Sequence, residues 1–251
     1  MRSPQWSLRQ ALLQAGATSI WFLPSRLANP VLDLLLSWSG GKDSALTLRA
    51  LEMSGRHRVR ALLTTVTEGY DRVSMHGVRR RLLQAQASSL GLSLEEVWIP
   101  RDSTNAVYEE RMRAVLEKYL ALGVTGVAFG DLFLADIRAY REARLREIGM
   151  KGVFPLWHRK TDRLAARFVD LGFKAVICCV DQKRLPRRFC GVPYDRPFLS
   201  RLPHDVDPCG ENGEFHTFVY DGPVFKRRVD FDVGKVVLRQ GFYFADLVPK
   251  G

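Results

Sequence analysis

The sequence predicts an α/β protein with a Rossmann-like, doubly wound parallel sheet and a smaller C-terminal α+β lobe. Apolar segments of strand length alternate with helix-length segments over the first two thirds of the chain. The first of these strands, 32–38, is almost continuously apolar, which is typical of a strand buried on both faces of a parallel sheet. The last third is rich in prolines and β-forming residues, which indicates a second lobe of different construction.

The first half of the predicted sheet follows a strict strand-helix alternation. Strand 32–38 leads through a glycine-containing turn into a helix over about 43–54, which places small and aliphatic side chains on one side. Strand 59–66 and helix 78–90 follow, and Gly91 ends that helix. This order favours parallel strands joined by right-handed crossovers.

The alternation continues beyond the second helix. Residues 97–99 close a third strand, and Thr104 or Asn105 caps a long helix that extends to Leu122. The remaining predicted elements are a fourth strand from 126 to 129, a further helix that carries Asp136, Tyr140 and Arg144, a helix over 161–171 and a strand over 175–180.

We divide the chain into three segments. Residues 1–30 resemble a targeting segment only superficially, and we interpret them as an N-terminal extension outside the core. Residues 31–155 form the predicted nucleotide-binding domain, and residues 156–251 form the second lobe.

Composition limits the possible classes of protein. The 251 residues are 46% hydrophobic, which is ample for a packed core, and the most apolar run is too short to cross a bilayer. Four cysteines without a C-x-x-C pair predict reduced thiols in a cytoplasmic protein. We expect no association with a membrane.

The net charge of +11 favours polyanionic partners. ATP is one such partner, and RNA is another. The basic clusters are scattered along the chain, and no recognisable RNA-binding motif accompanies them. A nucleic-acid partner is therefore an open alternative that no motif in the sequence supports.

The segment from Ser37 to Ser44, with the sequence Ser-Trp-Ser-Gly-Gly-Lys-Asp-Ser, predicts a phosphate-binding loop. It lies where a buried strand passes into a helix, so successive N–H groups and the helix N-terminus can surround an anion. The predicted phosphate ligands are Ser37, Ser39, Gly40, Gly41, Lys42, Asp43 and Ser44. The spacing matches neither a Walker A loop nor a dinucleotide fingerprint.

The same loop predicts chemistry at ATP. Lys42 can stabilise the negative charge that develops on a phosphate leaving group, and Asp43 is the nearest candidate to hold Mg²⁺. The alternative for Asp43 is an acid that merely stabilises the start of its helix. Adenine recognition is expected from the backbone of the second strand, around Thr65.

Three further segments contribute candidate residues. His76 follows the second strand and Gly130-Asp131 follows the fourth, both at the edge where open α/β sheets bind ligands. Glu211 and Glu214 lie in a glycine-rich turn. They either hold magnesium or orient an amine, or else they accept hydrogen bonds from the backbone of the turn itself. His76 is either a ligand for phosphate or acceptor, or simply an exposed side chain.

Ser-Gly-Gly-Lys-Asp-Ser resembles the PP-loop of ATP pyrophosphatases, which belong to the HUP type of fold. Together with Gly-Glu-Asn-Gly-Glu-Phe-His-Thr at 210–217 and Pro-Leu-Trp at 155–157, it makes the chain similar to the diphthine–ammonia ligase family from about Leu32 to Leu247. The resemblance implies cleavage of ATP to AMP and pyrophosphate, adenylation of a carboxylate, and amidation by ammonia. Lys42, Asp43, Glu211 and Glu214 are the predicted catalytic residues, and residues 156–251 are the predicted acceptor-binding lobe.

The motif variants Asp-Pro-Cys-Gly-Glu-Asn-Gly-Glu-Phe-His and Ser-Met-His-Gly-Val resemble the bacterial branch of this family, and bacteria do not make diphthamide. We therefore expect the same class of reaction on a different carboxylate acceptor, for which a protein side chain is one candidate. The alternatives are an RNA-modifying or thiolating PP-loop enzyme and an ATP-sensing module without turnover. A homodimer is a further possibility.

Overall fold

The computed structural model describes residues 31–69, 72–73 and 77–250. Residues 31–251 form one compact unit. The predicted N-terminal extension and the predicted ligand His76 lie outside the described residues.

The first sheet contains five parallel strands and one short antiparallel strand. Its strands are β1 (Leu32–Ser37), β2 (His57–Thr67), β3 (Arg72–Val73), β4 (Ser93–Ile99), β5 (Gly126–Ala128) and β6 (Lys151–Val153). The parallel strands lie in the order β4-β2-β1-β5-β6, and β3 pairs antiparallel with the end of β2. This arrangement confirms the predicted Rossmann-like sheet.

Helices cover both faces of this sheet. They are α1 (Lys42–Ser54), α2 (Arg80–Leu90), α3 (Asn105–Ala121) and α4 (Ala135–Glu147). Because side chains alternate along a strand, Leu34 and Leu36 of β1 pack in the cluster that contains the buried side of α1 and α2, whereas Leu35 packs in the cluster with α3 and α4. Strand β1 therefore packs against helices on both of its faces, which explains the apolar run in its sequence.

The second lobe contains a four-stranded antiparallel sheet. Its elements are α5 (Thr161–Asp170), β7 (Lys174–Asp181), a 3₁₀ turn (Arg187–Phe189), α6 (Arg196–Ser200), β8 (Phe215–Asp221), β9 (Phe231–Arg239) and β10 (Phe242–Pro249). The strand order is β8-β7-β10-β9. This confirms the smaller C-terminal α+β lobe.

Some boundaries differ from the sequence-based expectation. The second strand runs from His57 to Thr67 and so extends beyond the predicted 59–66, and the strand at Lys151–Val153 was not predicted. The third strand ends at Ile99 as predicted and begins at Ser93. The unpredicted strand has three residues and is only partly buried, so its sequence carries no apolar run. None of the helices in the described part of the chain is both long and apolar enough to cross a membrane.

An ion-pair cluster joins the two sheets at the start of α2. Asp246 of β10 accepts hydrogen bonds from Arg72 at 2.9 Å and from Arg79 at 3.0 and 2.8 Å. The guanidinium groups of Arg79 and Arg72 lower the pKa of Asp246 to about 2, although burial opposes this shift. The charged carboxylate therefore stabilises the folded state above the ordinary aspartate pKa, and this contribution is lost as the pH falls towards 2.

We predict that Asp246→Asn lowers the free energy of unfolding by about 1 kcal/mol near neutral pH, because the partly exposed cluster loses its anion. The difference from the wild type should shrink as the pH falls from about 4 to about 2. Urea unfolding across this range measures it. Asp232→Asn on β9, which removes an exposed carboxylate, is the matched control. A difference between wild type and Asp246→Asn that does not change with pH would contradict the assignment.

Candidate active site

The candidate site lies where the connections of the sheet change direction. From β1 the chain crosses to β2 on one side, whereas β5 pairs with β1 on the other side. The phosphate loop follows β1, and Gly130-Asp131 follows β5. Both segments thus lie at the carboxyl edge of adjacent parallel strands, where open α/β sheets bind ligands.

Gly40 and Gly41 allow the close approach of β8 to the loop. Gly40 has φ of +79°, and a Cβ there would lie 2.9 Å from Oε1 of Gln86. A Cβ on Gly41 would lie 3.1 Å from the carbonyl oxygen of Thr217. The carbonyl of Gly40 also accepts a hydrogen bond from Val219 N at 2.9 Å. A side chain at Gly40 would therefore displace Gln86 of α2, and one at Gly41 would press on Thr217 of β8.

Hydroxyl oxygens contact the N–H groups of the loop. Lys42 N donates to Oγ1 of Thr217 at 3.0 Å, and Gly41 N donates to Oγ of Ser39 at 3.3 Å. Ser44 Oγ donates to the carbonyl of Gly41 at 2.9 Å and lies 3.4 Å from Ser39 Oγ. Two backbone donors are thus directed at oxygen atoms, the type of acceptor that a phosphate also presents.

Lys42 is almost fully buried at the start of α1. Its Nζ lies 2.8 Å from Oδ2 of Asp43 and 5.9 Å from the ring centre of Phe215. Burial opposes the charge, but Asp43, Cys209 and Glu211 together outweigh it and raise the pKa of Lys42 above its ordinary value. The side chain is therefore a cation between the loop and the second lobe.

Asp43 and Asp131 form the acidic side of the site. Oδ1 of Asp43 is buried, and no described residue forms a hydrogen bond with it. Gly130 packs so closely on Asp43 that a Cβ there would lie 3.0 Å from the Asp43 carbonyl carbon. Asp131 pairs with Arg141 at 3.0 Å, and burial raises its pKa despite that cation.

These two carboxylates fit a magnesium ion that is also bound by phosphate, since Mg²⁺ commonly takes one or two protein carboxylates. The unpartnered oxygen of Asp43 is the specific feature that favours this. Within residues 31–69, 72–73 and 77–250, no group of three or more His, Cys, Asp or Glu side chains forms a complete metal site.

The turn before β8 is organised by two carboxylates. Oδ1 of Asp207 accepts from Cys209 N at 2.7 Å. Glu214, which is 1% exposed, accepts from the backbone N–H groups of Asp207 and Asn212, each at 3.0 Å. Burial opposes its charge, but hydrogen bonds from Asn212 and Asp207 lower the pKa of Glu214. These contacts match the alternative in which Glu214 accepts hydrogen bonds from the backbone of the turn itself.

Glu211 instead reaches across to the first sheet. Its Oε1 accepts from the N–H group of Leu132, beside Asp131, at 2.8 Å. Burial raises the pKa of Glu211 to about 7, and Asp43 adds to this effect, while the Leu132 hydrogen bond opposes it. The structure therefore brings Glu211 together with Lys42, Asp43 and Asp131, and its carboxyl group changes charge near neutral pH.

A cavity of about 320 Å³ opens beside the phosphate loop. It lies at the ends of β1, β2 and β5 and beneath α3 and α4, and Ser37, Ser39 and Thr65 line it. Tyr140 and Arg144 of α4 lie on its far side, although Arg144 also pairs with Glu147 at 2.9 Å. Its volume is in the range of small-molecule sites.

Comparison with known proteins identifies the family. A model of the diphthamide synthase N-terminal domain matches residues 34–152, and a model of the diphthamide synthase C-terminal domain matches residues 160–246. The chain belongs to the diphthamide synthase family. Both matched segments contain candidate residues, with Lys42, Asp43 and Asp131 in the first and Glu211 and Glu214 in the second.

Curated relatives carry a name that describes an ammonia-using ligase. The diphthine–ammonia ligases of Bos taurus and Homo sapiens are each 27% identical to this chain, and each comparison covers 82% of this chain and 85% of the relative. The diphthine–ammonia ligase of Schizosaccharomyces pombe is 26% identical over 76% of this chain, but over 34% of its own length. These names support a ligase function for the diphthamide synthase family and do not favour the thiolating alternative.

The cysteines also argue against thiolation. All four are buried and unpaired. Burial raises the pKa of Cys179 and Cys190 to about 12 and raises those of Cys178 and Cys209 as well. A persulfide carrier requires an accessible thiolate, and these thiols stay protonated.

Thr217 and Gln86, whose side chains form hydrogen bonds with the phosphate loop, were not among the predicted site residues. Thr217 contacts the Lys42 amide, and Gln86 of α2 contacts the carbonyl of Gly40 at 3.0 Å. Thr217 belongs to the glycine-rich motif, so its position in that motif was an available signal. Gln86 lies on an amphipathic helix among leucines and alanines, and only its complete burial distinguishes it.

We predict that Glu211→Gln stabilises the protein at alkaline pH. The buried carboxyl group has a raised pKa, so the folded state loses stability as the pH rises from 4.5, the ordinary glutamate value, through about 7, whereas glutamine still accepts the Leu132 hydrogen bond. Relative to the wild type, the gain in free energy of unfolding should be about 1 kcal/mol larger at pH of about 8 than at pH of about 5, after allowance for solvent screening.

Urea unfolding at the two pH values measures this gain. Glu110→Gln, an exposed position on α3, is the control and should show no such pH dependence. Equal gains in free energy of unfolding for Glu211→Gln at the two pH values would show that the pKa of Glu211 is not raised in the folded protein.

Proposed function

We propose that this protein is an ATP-dependent ligase that adenylates a carboxylate and then amidates it with ammonia. The observation that carries the proposal is the convergence, at one sheet edge, of a glycine loop with a buried lysine, two carboxylates that fit Mg²⁺, and a cavity of nucleotide size. The ligase names of the relatives support the same chemistry.

In the first step, a carboxylate oxygen of the acceptor attacks the α-phosphorus of ATP. The bond between that phosphorus and the oxygen that bridges to the β-phosphorus breaks, and pyrophosphate leaves. The phosphate oxygens would replace Ser39 Oγ and Thr217 Oγ1 as acceptors for the N–H groups of Gly41 and Lys42. With the Gly40 N–H and the Lys42 ammonium, these donors bind the departing phosphates, which gain negative charge in the transition state. Ser39 and Ser44 provide hydroxyl groups at the same place.

Asp43 and Asp131 would hold the magnesium ion through the unpartnered Oδ1 of Asp43 and, directly or through water, Asp131. When bound, Mg²⁺ neutralises charge on the phosphate oxygens. Asp43 also keeps the Lys42 ammonium at the loop through their 2.8 Å contact. Gly130 permits this arrangement because its lack of a side chain leaves room for Asp43.

The cavity beside the loop would hold the adenosine part of ATP. Ser37 and Thr65 lie at the ends of the central strands, from which backbone groups can read the edge of the base. Arg144 and Tyr140 are placed at its outer wall.

In the second step, the nitrogen of ammonia attacks the carbonyl carbon of the acyl adenylate, the bond from that carbon to the AMP oxygen breaks, and one proton is released. Glu211 is the base that would accept this proton, because it lies near Asp43 and its pKa of about 7 suits proton transfer at neutral pH. Glu214 supports it by fixing the turn. The chemical class of the acceptor is a carboxylate, and a protein side chain is one form it takes.

We predict that Lys42→Ala lowers the rate of AMP and pyrophosphate formation by at least about 100-fold, because the leaving group loses its cation. Product analysis with ATP, magnesium, ammonium and candidate carboxylates measures this. Lys118→Ala on α3, which removes an exposed lysine paired with Glu95, should leave the rate unchanged. Formation of ADP by the wild type, or full activity of Lys42→Ala, would refute the proposed chemistry.

We also predict that Thr65→Trp fills the adenosine cavity. The KM for ATP should rise at least about tenfold, whereas the Kd for inorganic pyrophosphate should not change, because pyrophosphate contacts only the loop. Thr125→Trp, at an exposed position before β5, is the matched control. A parallel loss of pyrophosphate affinity in Thr65→Trp would show that the cavity and the loop are not separate subsites.

A further inference from the structure

Gln86 is a fully buried polar residue that none of the proposed catalytic roles uses. It lies on α2 with 0% exposure, and its amide makes three hydrogen bonds. Oε1 accepts from Nε1 of Trp38 at 2.9 Å, and Nε2 donates to the carbonyl oxygens of Gly40 at 3.0 Å and Val219 at 2.5 Å. The side chain therefore touches the residue after β1, the phosphate loop and β8 at once.

The contact with Gly40 fixes one peptide plane of the loop. A peptide unit is planar and trans, so the carbonyl of Gly40 and the N–H of Gly41 point in opposite directions. The Gly40 carbonyl accepts two hydrogen bonds on the same side, from Gln86 and from the backbone of Val219. The N–H of Gly41 is consequently directed to the other side, where it meets the hydroxyl of Ser39.

A glycine-glycine peptide is the most easily rotated unit of the loop, because neither residue has a Cβ to restrict its angles. Gly40 already adopts φ of +79°. An external contact is therefore needed to keep the N–H of Gly41 on the phosphate side, and Gln86 supplies one of the two that hold the carbonyl.

We propose that Gln86 is a positioning residue that orients the Gly40–Gly41 peptide for phosphate binding and ties that orientation to β8. The inference rests on the proposed function of the loop. Because β8 directly follows the turn with Glu211, Gln86 links the phosphate loop to the segment that carries the proposed base. Its loss weakens binding of the β- and γ-phosphates without removing any group that touches them.

The test compares Gln86→Met with Gln84→Met. Methionine keeps the approximate length of the side chain and removes its donors, and Gln84 lies on the same helix with its amide at the surface. Calorimetric titration with inorganic pyrophosphate, and the KM for ATP in the ligase assay, should show at least about a tenfold loss of affinity in Gln86→Met and none in Gln84→Met.

Val124→Ala separates positioning from stability. Val124 is buried before β5, at the opposite edge of the sheet, so this variant loses stability without contact to the loop. It should lower the folded fraction and the apparent kcat but leave the pyrophosphate Kd at the wild-type value.

Three results would overturn the inference. An unchanged pyrophosphate Kd in Gln86→Met, beside a wild type that binds, would refute the role of Gln86 alone. An equal loss of affinity in Val124→Ala would assign the effect to stability. A wild-type protein that binds neither pyrophosphate nor ATP would refute the proposed function and this inference with it.

Discussion

The docking of β8 against the phosphate loop is the contact on which the rest of the site depends. Val219 N binds the Gly40 carbonyl, and the Thr217 hydroxyl accepts from Lys42 N. These hydrogen bonds explain why two glycines are needed, since a Cβ on either would meet Gln86 or Thr217. They also explain how a lysine can be buried here: the second lobe covers it, while Asp43 supplies the compensating charge. The phosphate loop is thus completed by a strand that lies far away in the sequence.

The same docking places two sets of chemical groups in one region. The first sheet contributes the loop, Asp43 and Asp131, and the second lobe contributes the turn with Glu211. The hydrogen bond from Leu132 N to Oε1 of Glu211 connects these two sets of groups. An enzyme that carries out two successive steps on one acceptor needs both sets close together, because the acyl adenylate must meet the amine before water hydrolyses it. One hydrophobic cluster contains both Leu34 of the first sheet and Phe218 of the second lobe. The proposed boundary between residues 155 and 156 therefore separates two segments by their proposed function and not by separate hydrophobic cores.

Local sequence signals predicted the features that depend on local physics. A continuous apolar run specified β1, and glycines at the end of that strand specified the loop, because these follow from burial on two faces and from backbone freedom. The short strand Lys151–Val153 and the contact from Gln86 to Gly40 could not be predicted. The former has too few residues for a period, and the latter joins positions 46 residues apart, which only the folded chain brings together. For Glu211 and Glu214 the motif was visible, but their different partners depend on tertiary contacts.

We propose that the N–H groups of the phosphate loop bind the β- and γ-phosphates of ATP, and a crystal structure with α,β-methylene-ATP and magnesium is the decisive measurement of this proposal. We expect phosphate oxygens at about 2.7–3.2 Å from the N–H groups of Gly41 and Lys42, with the adenosine in the cavity near Thr65. Nucleotide bound elsewhere, while Lys42 N still donates to Thr217 and Gly41 N to Ser39, would contradict it.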